Sequence, residues 1–132
     1  MIYVPYAALL FAFALIYLPR SVVGAEMKKL AGGYDNSDPR GQQARLEGRG
    51  KRALGAHQNA LEAFAPFAAG VLAAAQRGAP LTVVAIICIA FVVARTVYAV
   101  AYIADKSTLR SGMWGVGVLC TAALLVFALL GA

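Results

Sequence analysis

From Gly112 to Ala132 the chain carries no charged side chain, and none appears between Ile2 and Leu18. Uncharged apolar runs of this length narrow the possible folds severely. A backbone that enters hydrocarbon must satisfy its own N–H and C=O groups, and a helix of about 20 residues does so across a core of about 30 Å. A third run, Pro80 to Tyr102, is interrupted only by Arg95. A fourth, His57 to Ala75, is alanine-rich and extends backward as a charged helix through Lys51 and Arg52. With 61% hydrophobic residues, 14% charged residues and a mean hydropathy of +0.72, the 132-residue chain is too apolar for an ordinary soluble domain. These features predict an all-α integral membrane protein. Its single domain covers residues 1–132, with helices over about 2–24, 45–75, 80–103 and 111–131 in an antiparallel four-helix transmembrane bundle.

The first run has no basic residue ahead of it and no convincing processing site behind it, so it reads as a retained helix rather than a signal peptide. Cys88 and Cys120 lie inside apolar runs, where a thiol behaves as a small hydrophobe, and they support no disulfide framework. Basic residues are unevenly placed. Arg20, Lys28, Lys29, Arg40, Arg45, Arg49, Lys51 and Arg52 gather around the first connection, Lys106 and Arg110 around the last, and Arg77 alone lies on the other side. The positive-inside bias then places both basic connections in the cytoplasm and both termini outside. On this account the net charge of +6 is a topology signal, and too little chain lies outside the helices to form a nucleic-acid-binding face. The one long polar segment, "KKLAGGYDNSDPRGQQARLEGRGKR", reads as turns from its glycines and its Asp-Pro and Asn-Ser pairs.

Ionisable groups inside the spans are the candidates for function. Asn59 and Glu62 share one side of the second long helix, with Arg52 on roughly that side and His57 pointing elsewhere. If that helix enters hydrocarbon near Gly55 and the next one leaves near Tyr102, Glu62 and Arg95 each lie about 10 Å from the same end. An unpaired charge at that depth is costly, which favours Glu62 facing Arg95 inside the bundle and Asn59 orienting the carboxylate. Tyr98 and Tyr102 follow Arg95 in one stripe aimed at Lys106 and Arg110, giving a polar, net positive recess open to the cytoplasm. An anionic, peptide-like ligand suits such a recess. A purely structural role, with Glu62 and Arg95 fixing helix register and the tyrosines in the interfacial belt, is the competing account.

No Ser-His-Asp arrangement, Cys-x-x-Cys pair, phosphate-binding glycine pattern or zinc spacing occurs, so no metal site is expected. Catalysis on this chain would rest on electrostatic stabilisation, with Arg and Tyr lowering the pKa of a bound thiol while an apolar second substrate arrives from lipid.

Four segments together resemble the MAPEG superfamily, the membrane-associated proteins in eicosanoid and glutathione metabolism. They are "YDNSDPR", "KRALGAHQNALEAFAPFAAGVLAA", "ARTVYAVAY" and "LRSGMWGVG". The chain is most similar to the short bacterial branch. The resemblance implies a homotrimer in a bacterial inner membrane, glutathione held between subunits, and a hydrophobic small-molecule substrate. It implies glutathione contacts at Asn59, Glu62, Arg95 and Tyr102, with His57, Arg52 and Tyr98 alongside, and Arg110 stabilising the thiolate while Tyr102 orients it. The expected activity is a glutathione-dependent transferase or peroxidase acting on hydrophobic electrophiles or lipid hydroperoxides. The alternative is a non-catalytic oligomer that binds a lipid or small anion. Lys51, Gly55, Gln58 and Tyr98 depart from the pattern of the better-known enzymes, which carry glutamate, arginine, arginine and histidine there.

Overall fold

The computed structural model describes residues 1–131 and is helical throughout its ordered elements; Ala132, the last residue of the predicted final run, lies outside the described residues. Four long helices, α1 (Val4–Met27), α3 (Gly48–Gln76), α4 (Leu81–Ile103) and α5 (Ser107–Leu130), pack against one another, and a short α2 (Pro39–Ala44) sits in the first connection. Three of them, α1, α4 and α5, are long and apolar enough to cross a membrane, with mean hydropathies of 1.8, 2.5 and 2.3. The chain is a multi-pass membrane protein on this ground. The polar first half of α3 keeps that helix below the same threshold of apolarity, although it packs on α1, α4 and α5 alike.

Successive long helices run in opposite directions. Gly50 at the start of α3 packs against Glu26 at the end of α1, and Arg52 at the start of α3 meets Ile103 at the end of α4. Arg77, just past α3, reaches Ala128 near the end of α5, so α3 and α5 run in parallel. One core cluster, around Phe67, Val71, Cys88, Phe91 and Leu124, fills the middle of the bundle and the end carrying Arg77. The rings of Phe67 and Phe91 stack there with centroids 3.6 Å apart. A second cluster of Val23, Met27, Leu46 and Ala53 seals the basic end.

Local chemistry accounts for the element boundaries. Pro5 and Pro39 occupy first turns, where the missing N–H has no partner to lose. The first connection is more ordered than a run of turns, which corrects the expectation for it. Asp35 Oδ1 accepts from the Ser37 and Asp38 amides, and Asp38 Oδ1 accepts from Gly41 N to cap α2. Buried Gln42 then pins the loop, donating to the Gly33 carbonyl at 2.6 Å and accepting from Asp35 N at 3.0 Å. At the other connection α5 begins at Ser107, one turn earlier than the expected 111. A tight turn, with Lys106 N bonding Ala101 O and Asp105 N bonding Tyr102 O, lets the chain reverse within a few residues.

Candidate functional site

Arg95 is the most deeply buried charge in the described structure, only 6% exposed, and the site is built around it. Its NH2 donates to Asn59 Oδ1 at 2.8 Å, and Asn59 Nδ2 in turn donates to Glu62 Oε2 at 3.1 Å. The expected direct contact between Glu62 and Arg95 is therefore replaced by a relay. Among the described residues the two form no ion pair. Both amide ends of Asn59 are used, so its orientation is set by its two charged neighbours. The sequence placed Glu62 and Arg95 at one depth with Asn59 about one turn away on the side of α3 that carries Glu62, and the Asn59–Arg95 bond joins α3 and α4 there.

The Arg95 guanidinium lies over the Tyr98 ring at 4.2 Å, and Tyr98 meets Tyr102 edge to face at 5.7 Å. Arg110, from the first turn of α5, stacks on the far phenol, 4.6 Å from the Tyr102 centroid. Each cation thus has an aromatic face beneath it, a favourable contact where water is scarce. Gly55 is what allows this stack to close onto α3: a Cβ there would collide with the Tyr102 phenol. Gly117 of α5 has the same role beside Arg95, whose Cδ would sit 3.2 Å from an added Cβ.

Next to the relay lies a recess of about 400 Å³ between α3, α4 and α5. Asn59, Glu62 and Arg95 form one corner, and Pro66, Phe91, Trp114, Val118 and Leu125 are among the apolar residues of the remaining wall. Glu62, Pro66, Trp114, Val118 and Leu125 are all exposed, so the recess opens sideways out of the bundle. This corrects the expected polar funnel toward the basic end: the polar groups occupy one corner of a mostly apolar groove. Tyr98, Tyr102 and Arg110 lie behind that corner, toward the basic end, and are not part of the wall.

Two other candidates are placed elsewhere. His57 Nδ1 bonds the Ile16 carbonyl at 2.8 Å, next to the point where Pro19 interrupts the hydrogen bonding of α1. It ties α3 to α1 and is not part of the recess wall. Arg52 donates from Nε to Ile103 O at 3.1 Å and lies 3.7 Å from Asp105, fastening α3 to the end of α4. The α5 wall, by contrast, escaped the sequence reading. Its residues Trp114, Val118, Thr121, Ala122 and Leu125 share one face of α5, but the other faces of that helix are equally apolar.

A polytopic helical membrane protein with a buried arginine relay beside a laterally open apolar recess is the class defined by these features. A family model described as the MAPEG family matches residues 4–130, and the chain belongs to that family. No curated protein and no solved structure matches it.

Proposed function

We propose that the protein is a glutathione-dependent transferase or peroxidase of a bacterial inner membrane, in which all four long helices span the bilayer and three subunits assemble. The observation that carries this reading is the relay Arg95–Asn59–Glu62, which sets a guanidinium, an amide and a carboxylate at the polar corner of an apolar recess. Glutathione carries both carboxylates and an ammonium, and Arg95 and Glu62 offer a complementary charge to each. Glu62 is exposed at the depth of buried Arg95, and a neighbouring subunit or a ligand would cover it.

In this reading Asn59, Glu62 and Arg95 position glutathione, Tyr98 supports Arg95 from beneath, and the sulfur reaches past the polar corner toward the basic end, where Arg110 with Tyr102 holds it as the thiolate. With an electrophile, the sulfur forms a C–S bond while the leaving group departs with the bonding pair. With a lipid hydroperoxide, the sulfur takes the distal oxygen, the O–O bond breaks and the alkoxide leaves as the alcohol after protonation. A second glutathione then condenses with the sulfenic acid to give the disulfide and water. The apolar substrate enters through the lateral opening. Arg52 and His57, engaged at Ile103 and Ile16, serve here only to hold α3 in place.

A glutathione titration of detergent-purified protein tests the reading. Glu62→Gln and Arg95→Ala should weaken binding at least about tenfold, the loss expected for one charge-assisted contact. Arg110→Ala should lower turnover more than affinity. Saturable binding with neither thiolate absorbance nor turnover across several electrophiles and hydroperoxides would establish the non-catalytic binder instead. Undiminished binding in both the Glu62 and Arg95 variants would remove the relay from the site.

A further inference from the structure

All of the chain's 12 Lys and Arg residues except Arg77 and Arg95 gather at one end of the bundle, together with every acidic residue except Glu62. The acids do little to neutralise them. Among the described residues the ion pairs at this end are Lys29–Glu26 at 2.9 Å and Arg52–Asp105 at 3.7 Å. Asp35 and Asp38 are occupied by backbone amides of their own loop. Lys28, Arg45, Arg49, Lys51 and Lys106 are exposed and have no carboxylate partner in the described structure.

The helix dipole favours Lys28 and Arg45, which cap the C-termini of α1 and α2, but not Arg49, Lys51 or Lys106. Arg49, Lys51, Arg52, Lys106 and Arg110 stand at the starts of α3 and α5, where the helix dipole opposes positive charge, and neither first turn contains an acid. Topological bias requires basic residues near helix ends but not that they stay unpaired. Exposed Tyr17 of α1 lies between these cations and the apolar first half of its helix, as in an interfacial aromatic belt, which puts the cations on the headgroup side of it.

We propose that this basic rim, centred on Lys28, Arg45, Arg49 and Lys51, binds the headgroups of anionic glycerophospholipids. Phosphodiester oxygens supply the acceptors that the protein's own carboxylates do not, and the lipid's acyl chains lie along the exposed apolar surfaces of α1 and α5 below the rim. The inference does not depend on what the recess binds.

Native mass spectrometry and melting curves of the full chain in a neutral detergent test it, with dioleoyl phosphatidylglycerol, dioleoyl phosphatidylcholine and inorganic phosphate as probes. Phosphatidylglycerol should bind at least about tenfold more tightly than phosphatidylcholine, with the difference shrinking as salt rises. Changing Lys28, Arg45, Arg49 and Lys51 together to Gln should abolish that preference, no single cation contributing more than about fivefold, while Arg45→Lys with Arg49→Lys keeps it. Equal affinity for the two lipids, or a preference unchanged in the Gln variant, would overturn the proposal. So would a melting shift that phosphate alone reproduces, or displacement of the lipid by an RNA oligomer at equal concentration. Should the Gln variant fail to fold, the lipid preference of the wild type and its salt dependence decide the matter.

Discussion

At Asn59 one side chain holds two charges in place, and its removal separates two contributions that charge reversal would confuse. Asn59→Ala takes the acceptor from Arg95 and the donor from Glu62 at once. A buried guanidinium deprived of its acceptor should cost about 1.5–3 kcal/mol. Glu62→Gln is a different case, because the new amide oxygen can still accept from Asn59 and the group is exposed. Its stability should change by less than about 0.5 kcal/mol. Reversible unfolding in mixed micelles would measure both; equal losses in the two variants would mean that Glu62 bears structure in a way the relay does not describe. The same contrast makes Glu62→Gln the cleaner probe of binding, since any lost affinity is then not a folding defect.

At the scale of the elements, the turn between α4 and α5 sets the level at which Arg110 returns to Tyr102. Asp105 adopts φ 62, the left-handed conformation that favours glycine. A non-glycine residue there carries a cost of about 1–2 kcal/mol, against which its exposed pairing with Arg52 contributes about 0–1 kcal/mol. Asp105→Gly should therefore raise stability by up to about 1 kcal/mol, and Asp105→Val, β-branched, should lower it by more than about 1 kcal/mol. Thermal unfolding of the two variants checks the sign, and a loss in both would show that the carboxylate outweighs the backbone. Within α3, Pro66 has no N–H for the Glu62 carbonyl. The missing hydrogen bond falls on the wall of the recess, in a helix that continues through it.

For the whole molecule, the outer surface of α5 bears on assembly. Only 11% of the apolar window of α5 is buried, and Trp114, Leu119, Leu125, Leu129 and Leu130 face outward. Lipid can cover such a face, but lipid is a poor cover for the Glu62 carboxylate beside it. A homotrimer with its recesses at subunit boundaries meets that need, and native mass spectrometry in mild detergent should show three chains. A stable monomer with full glutathione affinity would exclude the shared site. Three copies would also bring three basic rims into one ring, so lipid adducts should then appear in multiples on the assembly.

Sequence alone determined the parts of this protein that depend on position along the chain. Run length marks α1, α4 and α5 as spans because hydrocarbon thickness is a one-dimensional constraint. Helical rise likewise placed Glu62 and Arg95 at one depth before any packing was known, with Asn59 on the same side of its helix as Glu62. Tertiary structure alone decided the choices around the helix axes. Arg95 had two acceptors within reach at its level, and the rotation of α3 against α4 gave it Asn59 and left Glu62 one bond further out. His57 went to α1 for the same reason. The α5 wall stayed hidden because a membrane helix is apolar on its lipid face and its packed face alike, so its hydrophobic pattern does not say which side looks inward. The first connection was opaque for a different reason: Gln42 resembles any other polar loop residue until Gly33 and Asp35 fold around it.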